Sequence, residues 1–200
     1  MKRWDLINHY IKLYGFASFL EIGHDKGEAF ENVDISLKES IDPNKKTNPT
    51  YDMGSDDFFE IYDTKYDIIF IDGLHEHAQV ERDIVNSLSH LNAGGVIILH
   101  DCNPPTRECQ RHSYCYPGGA WTGDCWKAFV KYRYLLEYEM YVWDHDWGCG
   151  VIDTNVPKIT DTSNLPHVMA LMRYDDLMIH KTDWLNLKTD IPKYECKNPS

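Results

Sequence analysis

The sequence predicts an α/β protein, a Rossmann-like three-layer sandwich built on a mostly parallel sheet. Residues 68–71 and 96–99 are continuous apolar runs, each followed by polar residues, which is typical of strands buried on both faces. Between them, apolar residues recur at the spacing of one helical face, at Val80, Ile84, Leu88 and Leu91. We expect this helix to stop at Asn92 and Gly94-Gly95. A strand, a helix and a second strand make one β-α-β crossover of a parallel sheet.

The first half of the chain supplies further elements in order. Residues 1–15 have the apolar spacing of an amphipathic helix, and residues 17–23 form a short strand that ends at glycine. Residues 35–41 predict a second strand, and residues 50–53 predict a short third one. Ser55, with the two aspartates after it, is expected to cap a following helix.

The second half adds a loop, a helix and a hairpin. Residues 102–121 lack periodicity and follow a strand end, so we expect a loop that is mobile without ligand and closes over the substrate. A helix begins after Trp121. Residues 137–143 and 148–153 predict a hairpin, which makes the last strand of the sheet antiparallel. A final helix is expected over residues 175–187.

Length and composition bound the class of protein. The chain has 200 residues without a repeat or an internal boundary, so we expect one domain over 1–187 and a loose tail over 188–200. The 32 acidic residues against 20 basic ones give a formal net charge of −12, which argues against nucleic acid or an anionic membrane as the partner. Neither a signal-peptide pattern nor an apolar run of membrane-spanning length is present, so we expect a soluble, cytoplasmic protein.

The six cysteines do not indicate a disulfide framework, because a chain of this length can build a core without such links. Cys109, His112 and Cys115 have the residue types and the tight spacing of zinc ligands. No second pair of Cys or His completes a four-ligand site, so we interpret the cysteines as reduced thiols in a polar loop.

A glycine-bearing turn follows the first strand. Gly23 and Gly27 allow a ligand close to the backbone and leave amides free at the start of a helix. The spacing is not GxGxxG, so a dinucleotide cofactor fits less well. Asp42 ends the second strand about 20 residues later, where an acid can accept hydrogen bonds from ribose hydroxyls. Asp before Pro is also a common start of a turn, so Asp42 has a structural interpretation beside this one.

Ionisable residues crowd the ends of the two central strands. Asp72 and His75 follow the first strand, and His100 and Asp101 follow the second. In an open α/β sheet the ligand binds beyond the carboxyl ends of the strands, so we expect the chemistry there.

The remaining histidines carry weaker signals. His77 and His90 are expected on the exposed side of the crossover helix. His24 and His145 lie in turns, where a polar side chain is ordinary.

Seven segments, in chain order, resemble a class I S-adenosylmethionine-dependent methyltransferase, and more narrowly methyltransferase domain family 24. They are LEIGHDKGEAF, IDPN, GSDDFF, FIDGLHEHAQVERDI, GGVIILHDCNPP, WTGDCWKA and WGCGVI. The resemblance runs from about Arg3 to Leu187. It implies a seven-stranded sheet with an antiparallel last strand, in agreement with the predicted hairpin, and S-adenosyl-L-methionine as the cofactor.

The resemblance also implies roles for individual residues. The cofactor-binding set is Glu21, Gly23, His24, Asp25, Gly27, Asp42, Ser55, Asp56, Asp72 and Gly73. Within it, Glu21 would contact the methionine amino group, and Asp42 would contact the ribose. Ser55 and Asp56 match the adenine side, although both could equally serve as a helix cap. Asp25 replaces a glycine of the broader pattern E/D-x-G-x-G-x-G, which makes the turn less open.

Methyl transfer is an in-line displacement at a sulfonium methyl, so the protein supplies proximity, alignment and deprotonation of the acceptor. The candidate catalytic residues are His75, His100 and Asp101. A histidine can take the proton of a hydroxyl, or a divalent metal such as magnesium can acidify it. Asp72 and Asp101 resemble the metal ligands of metal-dependent O-methyltransferases. Asn103 or His75 would complete the set, while Cys102 stands where those enzymes often have Asn.

Two other classes of protein fit part of the pattern. A metal-dependent hydrolase could build a water-activating centre from the cluster Asp72, His75, His100, Asp101 and His112. It would leave the glycine turn and Asp42 without a common purpose. A non-catalytic cofactor-binding protein of the same fold is the second alternative. The resemblance favours a small-molecule or sugar/glycan hydroxyl as acceptor, and the oligomeric state stays open, with a homodimer as one option.

Overall fold

The computed structural model describes residues 1–111 and 120–193 of the chain. Its strands are β1 (Ser18–Ile22), β2 (Leu37–Ile41), β3 (Tyr66–Ile71), β4 (Leu91–Leu99), β5 (Tyr138–Trp143) and β6 (Cys149–Pro157). Its helices are α1 (Arg3–Tyr14), α2 (Glu28–Asn32), α3 (Ser55–Ile61), α4 (His77–Ser89), α5 (Cys125–Leu135) and α6 (Tyr174–Leu185), with two 3-10 turns at Lys45–Thr47 and Met169–Leu171. None of the helices in these two ranges is long and apolar enough to cross a membrane.

One mixed sheet holds the six strands in the order β2-β1-β3-β4-β6-β5. The first four strands of the chain run parallel, whereas β6 is antiparallel to both β4 and β5. Helices cover both faces of the sheet. The predicted α/β class and the antiparallel last strand are therefore confirmed.

The described residues form six strands, so the expected count of seven is wrong. The difference lies at residues 50–53, where Tyr51 forms only an isolated parallel bridge with Ile41. Asn48 has a left-handed backbone with φ of 58°, and α3 already begins at Ser55. Too few extended residues remain between the two for a longer pairing.

The four parallel strands end in register, and this places the site. Ile22 pairs with Ile41 on one side and Ile71 on the other, and Ile71 pairs with Leu99. The residues that follow these strand ends are Gly23, Asp42, Asp72 and His100. Because ligands of open α/β sheets bind at this edge, the topology itself brings the predicted residues together.

The strands alternate their side chains between two apolar layers. In β3, Ile69 and Ile71 join one cluster, while Ile68 and Phe70 join the other. The first cluster packs against α3, α4, α5 and α6, and the second packs against α1 and α2. Burial on both faces explains why the central strands are continuous apolar runs.

The boundary after the crossover helix differs from the prediction. α4 ends at Ser89 with His90 as its C-cap, and Leu91 is already the first residue of β4. Leu91 therefore belongs to the strand and not to the apolar face of the helix. Gly95 is required by packing, because a Cβ there would lie 2.6 Å from the carbonyl oxygen of Asp67.

Two further local predictions need correction. Gly54, rather than Ser55, is the N-cap of α3, and no side chain in the described part of the chain caps that helix. Lys188, the first residue of the predicted tail, donates its amide to Val142 at 2.9 Å and accepts from the amide of Asp144 at 2.8 Å. The start of the tail is therefore attached to the hairpin.

Candidate active site

A cavity of about 990 Å³ opens at the edge where the parallel strands end. Its wall combines the glycine turn after β1, the segments after β2, β3 and β4, and the start of α3. The predicted site residues in this wall are Gly23, Asp25, Asp42, Ser55, Asp56, Asp72, Gly73, His75, His100 and Asp101. Glu21 and His24 line a second cavity of about 130 Å³, which shares Gly23 and Asp72 with the first. Gly27 lies in the turn itself, as the N-cap of α2. The structure thus gathers nearly the whole predicted set.

Gly23 is the most tightly packed point of the glycine turn. Its φ of 90° favours glycine, and a Cβ there would lie 2.1 Å from the carbonyl oxygen of Asp72. Its amide donates to the carbonyl oxygen of Ile41 at 2.9 Å. Asp25 and Gly27 also have left-handed backbones, with φ of 39° and 72°. Asp25 therefore keeps the backbone conformation that glycine would adopt at its position.

The Asp42 carboxylate holds the glycine turn in place. Its Oδ2 accepts hydrogen bonds from the amides of His24 at 3.0 Å and Asp25 at 2.9 Å. Its Oδ1 accepts one from the amide of Asn44 at 2.7 Å. A carboxylate offers about four lone pairs, so Oδ1 keeps one for a further donor such as a ribose hydroxyl. Asp42 thus has a structural role, missed by the sequence analysis, beside the predicted one.

Glu21 is buried at the end of β1, and its Oε2 lies 2.8 Å from Nδ1 of His24. Burial raises the pKa of Glu21 to about 9, and the charge of Asp72 acts in the same direction. Glu21 is therefore protonated at neutral pH while no additional cation faces it. A ligand ammonium group beside it would favour the ionised form.

The start of α3 belongs to a hydrogen-bonded group that the sequence analysis missed. Ser55 Oγ donates to Oδ1 of Asp83 at 2.6 Å, and Nε2 of Gln79 donates to the same oxygen at 3.1 Å. Burial raises the pKa of Asp83 to about 6, although these hydrogen bonds act against it. The available signal was the position of Asp83 three residues after Val80, on the apolar face of the predicted helix.

Asp72, His75 and Asp101 form a compact cluster after β3 and β4. Nε2 of His75 lies 3.3 Å from Oδ1 of Asp72, and Nδ1 lies 3.0 Å from Oδ2 of Asp101. The contact between Nδ1 and Asp101 is an ion pair by distance but does not have the angle of a hydrogen bond. The buried Nδ1 therefore has no hydrogen-bond partner among the described residues. Asp101 has a left-handed backbone with φ of 60°.

His100 has both ring nitrogens engaged. Nδ1 lies 3.1 Å from Oδ1 of Asp72, and Nε2 lies 2.8 Å from the carbonyl oxygen of Asp146. The side chain is only 4% exposed, and Nη1 of Arg3 lies 2.8 Å from Nε2. These contacts suit a structural role better than the exchange of a proton with a substrate.

Arg3 is a site residue that the sequence analysis missed. It is the first residue of α1, and its Nη1 lies 3.4 Å from Oδ2 of Asp72. Its Nε lies 3.7 Å from Oδ2 of Asp146, and its amide donates to the same oxygen at 2.9 Å. No motif surrounds Arg3. Only the packing of α1 against the sheet brings it into the site, so no local signal could have found it.

In this cluster, interactions between opposite charges shift the pKa values more than burial does. Burial alone would raise the pKa of Asp72 and Asp101, but His100 and His75 outweigh it and hold both below their usual range. Burial alone would lower the pKa of the two histidines, but the two aspartates outweigh it and raise both to about 10. The aspartates therefore favour the cationic form of both imidazoles, and Arg3 is a third cation beside Asp72.

The same cluster has the composition of a divalent-metal site. Asp72, His75 and Asp101 each offer one ligand atom, and these atoms all lie within 4.8 Å of one another. Carboxylates suit magnesium or manganese, and an imidazole would also admit zinc or iron. Nδ2 of Asn103, the other predicted ligand, donates to Oδ1 of Asp144 at 2.6 Å. The residues present fit a metal, on condition that His75 gives up its extra proton.

The candidate zinc cluster falls mostly outside the described residues. Cys109 is buried, with its Sγ 3.3 Å from Oγ1 of Thr106, whereas His112 and Cys115 belong to the range 112–119. This zinc hypothesis stays a prediction. Four cysteines of the described part are free thiols, namely Cys102, Cys109, Cys125 and Cys149.

His77 and His90, expected on the exposed side of the crossover helix, are only partly exposed, and both have polar partners. Nδ1 of His77 lies 2.7 Å from Oδ2 of Asp124, immediately before α5. The ring nitrogens of His90 lie 2.8 Å and 3.1 Å from the backbone carbonyls of Asn86 and Tyr62. Packing of other elements against α4 is invisible in the periodicity of that helix, so its polar face was taken to be exposed.

The sheet, the glycine turn and the ionisable edge together define the fold of class I methyltransferases, and comparison with known proteins supports this. The sequence model of methyltransferase domain family 24 matches residues 18–102. The matched range contains β1 to β4 and all the predicted cofactor-binding and catalytic residues. No curated protein sequence matches the chain significantly.

Solved structures of the same fold align with about three-quarters of the chain. A presumed caffeoyl-CoA O-methyltransferase from Staphylococcus aureus has a TM-score of 0.56 and 17% identity, over 75% of this chain and 82% of that one. The S-adenosylhomocysteine-bound methyltransferase PaMTH1 from Podospora anserina has a TM-score of 0.54 and 14% identity, over 76% and 77%. The O-methyltransferase TomG from Streptomyces achromogenes, in complex with S-adenosylmethionine, has a TM-score of 0.52 and 10% identity, over 76% and 79%.

At these identities the structural likeness shows the fold. Together with the family match, it confirms the resemblance to class I methyltransferases and supports a methyltransferase.

Proposed function

We propose that the protein is an S-adenosylmethionine-dependent O-methyltransferase whose acceptor is a hydroxyl of a small molecule or of a sugar or glycan. The observation that carries the proposal is the register of β1 to β4, which brings the glycine turn, Asp42 and the cluster around Asp72 to one cavity. A metal-dependent hydrolase would use the cluster and leave the glycine turn without a purpose. The methyltransferase uses both.

The cofactor would occupy the end of the cavity between the glycine turn and α3. Asp42 keeps a lone pair for a ribose hydroxyl, and Glu21 offers a carboxyl group to an ammonium. The wall also contains Asp56 and Asp72, and this acidic character suits a ligand with an ammonium and a sulfonium. When bound, S-adenosylmethionine supplies the electrophilic methyl group.

The acceptor hydroxyl would lie beside His75. The side chain of His75 is 18% exposed, whereas that of His100 is 4% exposed, so His75 is the accessible imidazole. His75 can take a proton only after losing its own extra one, because the aspartates beside it raise its pKa to about 10. We therefore assign His75 as the base or as a partner of the metal, and His100 as the residue that orients Asp72.

Asp72 and Asp101, with His75, are the residues that would hold a divalent metal. When bound, such an ion supplies Lewis acidity that lowers the pKa of an acceptor hydroxyl. A cation bound to these carboxylates also weakens the interaction that keeps His75 protonated. Metal binding and the neutral imidazole therefore favour each other.

The test combines cofactor binding with chelation. Calorimetry with S-adenosylhomocysteine should show binding to the intact protein. Transfer of labelled methyl to a panel of sugars and other hydroxyl compounds is then measured after chelation and after return of magnesium. We expect activity to vanish and to recover in the wild type but not in Asp101→Asn. Asn tolerates the left-handed backbone at this position, so the variant removes charge without adding strain.

The outcomes separate the alternatives. Full activity of the chelated wild type, together with loss of activity in His75→Gln, would reject a role for the metal and identify His75 as the base. No binding of S-adenosylhomocysteine would reject the methyltransferase itself. Tightly held metal found by elemental analysis in such a protein would favour the hydrolase.

A further inference from the structure

We infer that Asp124 is a positioning residue for His75. The inference rests on the proposed function, because it concerns the side chain assigned there to the acceptor hydroxyl. Asp124 belongs to the segment WTGDCWKA, which carries part of the resemblance but contributes nothing to the chemistry described above. Its amide contacts His75 directly, and its carboxylate contacts His77, two residues further along the same turn.

The backbone before α5 is hydrogen-bonded to the turn that carries His75. The amide of Asp124 donates to the carbonyl oxygen of His75 at 3.1 Å. Gly123 has φ of 56°, and a Cβ there would lie 1.7 Å from the same oxygen, so this approach requires glycine. The amides of Thr122 and Gly123 donate to the carbonyl oxygen of Cys109, at 2.8 Å and 3.1 Å. Residues 122–124, which contact His75, are therefore themselves hydrogen-bonded to Cys109 in the first half of the 102–121 loop.

The Asp124 carboxylate binds the other side of the same turn. Its Oδ1 accepts from the amide of His77 at 2.8 Å, and its Oδ2 lies 2.7 Å from Nδ1 of the His77 ring. Nζ of Lys127 lies 3.0 Å from Oδ2. Burial alone would raise the pKa of Asp124, but His77 and Lys127 outweigh it and lower it to about 2, so the carboxylate is ionised. One residue thus fixes position 75 through its amide and position 77 through its side chain.

Trp121 adds a contact to the imidazole itself. Its indole stacks on His75, with 4.9 Å between ring centroids and an interplanar angle of 23°. Nε1 of Trp121 donates to the carbonyl oxygen of Arg111 at 2.5 Å. The central part of the loop, residues 112–119, lies outside the described residues, so its predicted closure stays a prediction. Trp121 and Asp124 nevertheless connect the described ends of the loop to His75.

Precise placement of His75 matters because its ring lies between two carboxylates at 3.0 Å and 3.3 Å. A misplacement of about 1 Å in a catalytic group lowers a rate by roughly 100-fold. Loss of a charge-assisted hydrogen bond of about 1.5–3 kcal/mol is enough to loosen one turn without unfolding the sheet.

Asp124→Asn is the direct test, because Asn keeps the volume and an oxygen for the His77 amide but loses the charge. We expect affinity for S-adenosylhomocysteine within about threefold of the wild type, since Asp124 lies outside both cavity walls. Hydrogen exchange of residues 74–77 and 120–124 should become at least roughly tenfold faster, while β1 to β4 stay protected. With an accepted hydroxyl substrate, kcat should fall by roughly 10- to 100-fold and KM for the cofactor should not change.

The matched control is Asp175→Asn, an exposed carboxylate that pairs with Arg107 and should change none of these quantities. Unchanged exchange of residues 74–77 in folded Asp124→Asn would overturn the inference, as would unchanged kcat. Equal loss of protection throughout the sheet would also overturn it. If Asp124→Asn does not fold, His77→Gln removes only the side-chain contact and should reproduce the local effect. A wild type that binds no S-adenosylhomocysteine rejects the proposed function, while the exchange comparison still decides whether Asp124 fixes the turn.

Discussion

The two ends of the cavity are built by different means. At the cofactor end, backbone groups set the shape, through the close approach at Gly23 and the amides that bind Asp42. At the other end, side-chain charges set it, because Asp72 and Asp101 are held by imidazoles. A surface built from backbone keeps its shape when charges change, whereas a cluster of buried charges responds to pH and to added cations. The second end is therefore suited to proton transfer.

The largest expected effect would follow neutralisation of Asp72. Asp72→Asn leaves the cations of Arg3, His75 and His100 short of a partner, so we expect a loss of about 3–5 kcal/mol in the free energy of unfolding at pH 7. Denaturant titration measures it. The control is Asp56→Asn at the cofactor end, where the pair with Arg82 is about half exposed and is worth about 0–1 kcal/mol. Equal effects of the two variants would contradict the contrast between the ends.

The backbone-built end should fail sterically rather than electrostatically. In Gly23→Ala the new methyl would lie 2.1 Å from the carbonyl oxygen of Asp72, so the strand ends must separate and S-adenosylhomocysteine should no longer bind. We expect a loss of about 2–3 kcal/mol in stability. Gly15→Ala is the matched control, because Gly15 has φ of 68° but a Cβ there would have no atom of residues 1–111 or 120–193 within 4 Å. It should cost only about 1 kcal/mol, and a similar value for Gly23→Ala would remove the steric argument.

The pH dependence of stability should distinguish the two ends. The pKa of His100 is raised from 6.5 to about 10, so its contribution is complete below pH 6.5 and is lost as the pH rises towards 10. The pKa of Glu21 is raised from 4.5 to about 9, so its contribution to stability is complete below pH 4.5 and is lost as the pH rises towards 9. Stability of the wild type should therefore fall with rising pH. His100→Gln should flatten the alkaline part of the profile, and Glu21→Gln the part that begins near pH 4.5. Profiles parallel to the wild type would contradict these assignments.

The smallest expected effect concerns Asp42. Asp42→Asn can keep an oxygen for the amides of His24 and Asp25 but turns an NH2 donor towards the Asn44 amide. The charge-assisted contact to a ribose is lost with that oxygen, so affinity for S-adenosylhomocysteine should fall by roughly tenfold. Stability should change by about 1 kcal/mol or less. Calorimetry and thermal unfolding measure the two quantities on the same sample. An affinity equal to that of the wild type would exclude Asp42 from the cofactor site.

The sequence predicted the two ends to different depths. Backbone-built features leave local signals, and Gly23, Gly27 and Asp42 could be located from glycine spacing and a strand end. The charged end was predicted only in part. Arg3 lies in a helix nearly 70 residues before Asp72, and the residues beside it form no motif that would predict the contact.

The same limit explains the misassigned polar residues. His77 was placed at the surface because its partner Asp124 lies 47 residues away, and Ser55 was interpreted as a cap although its hydroxyl binds Asp83, 28 residues away. Periodicity reports which face of a helix is apolar. It does not report which polar residues of that helix will be covered by another element.

The left-handed backbone of Asp101 has a consequence for mutational scanning of the whole chain. Aspartate, asparagine and glycine adopt φ near 60° more readily than other residues do. Folding and activity should therefore tolerate different sets of residues at position 101. In a saturation library sorted for abundance, Asn and Gly at 101 should be retained and β-branched residues depleted. If the same library is sorted for methyl transfer, we expect Asp to be retained alone.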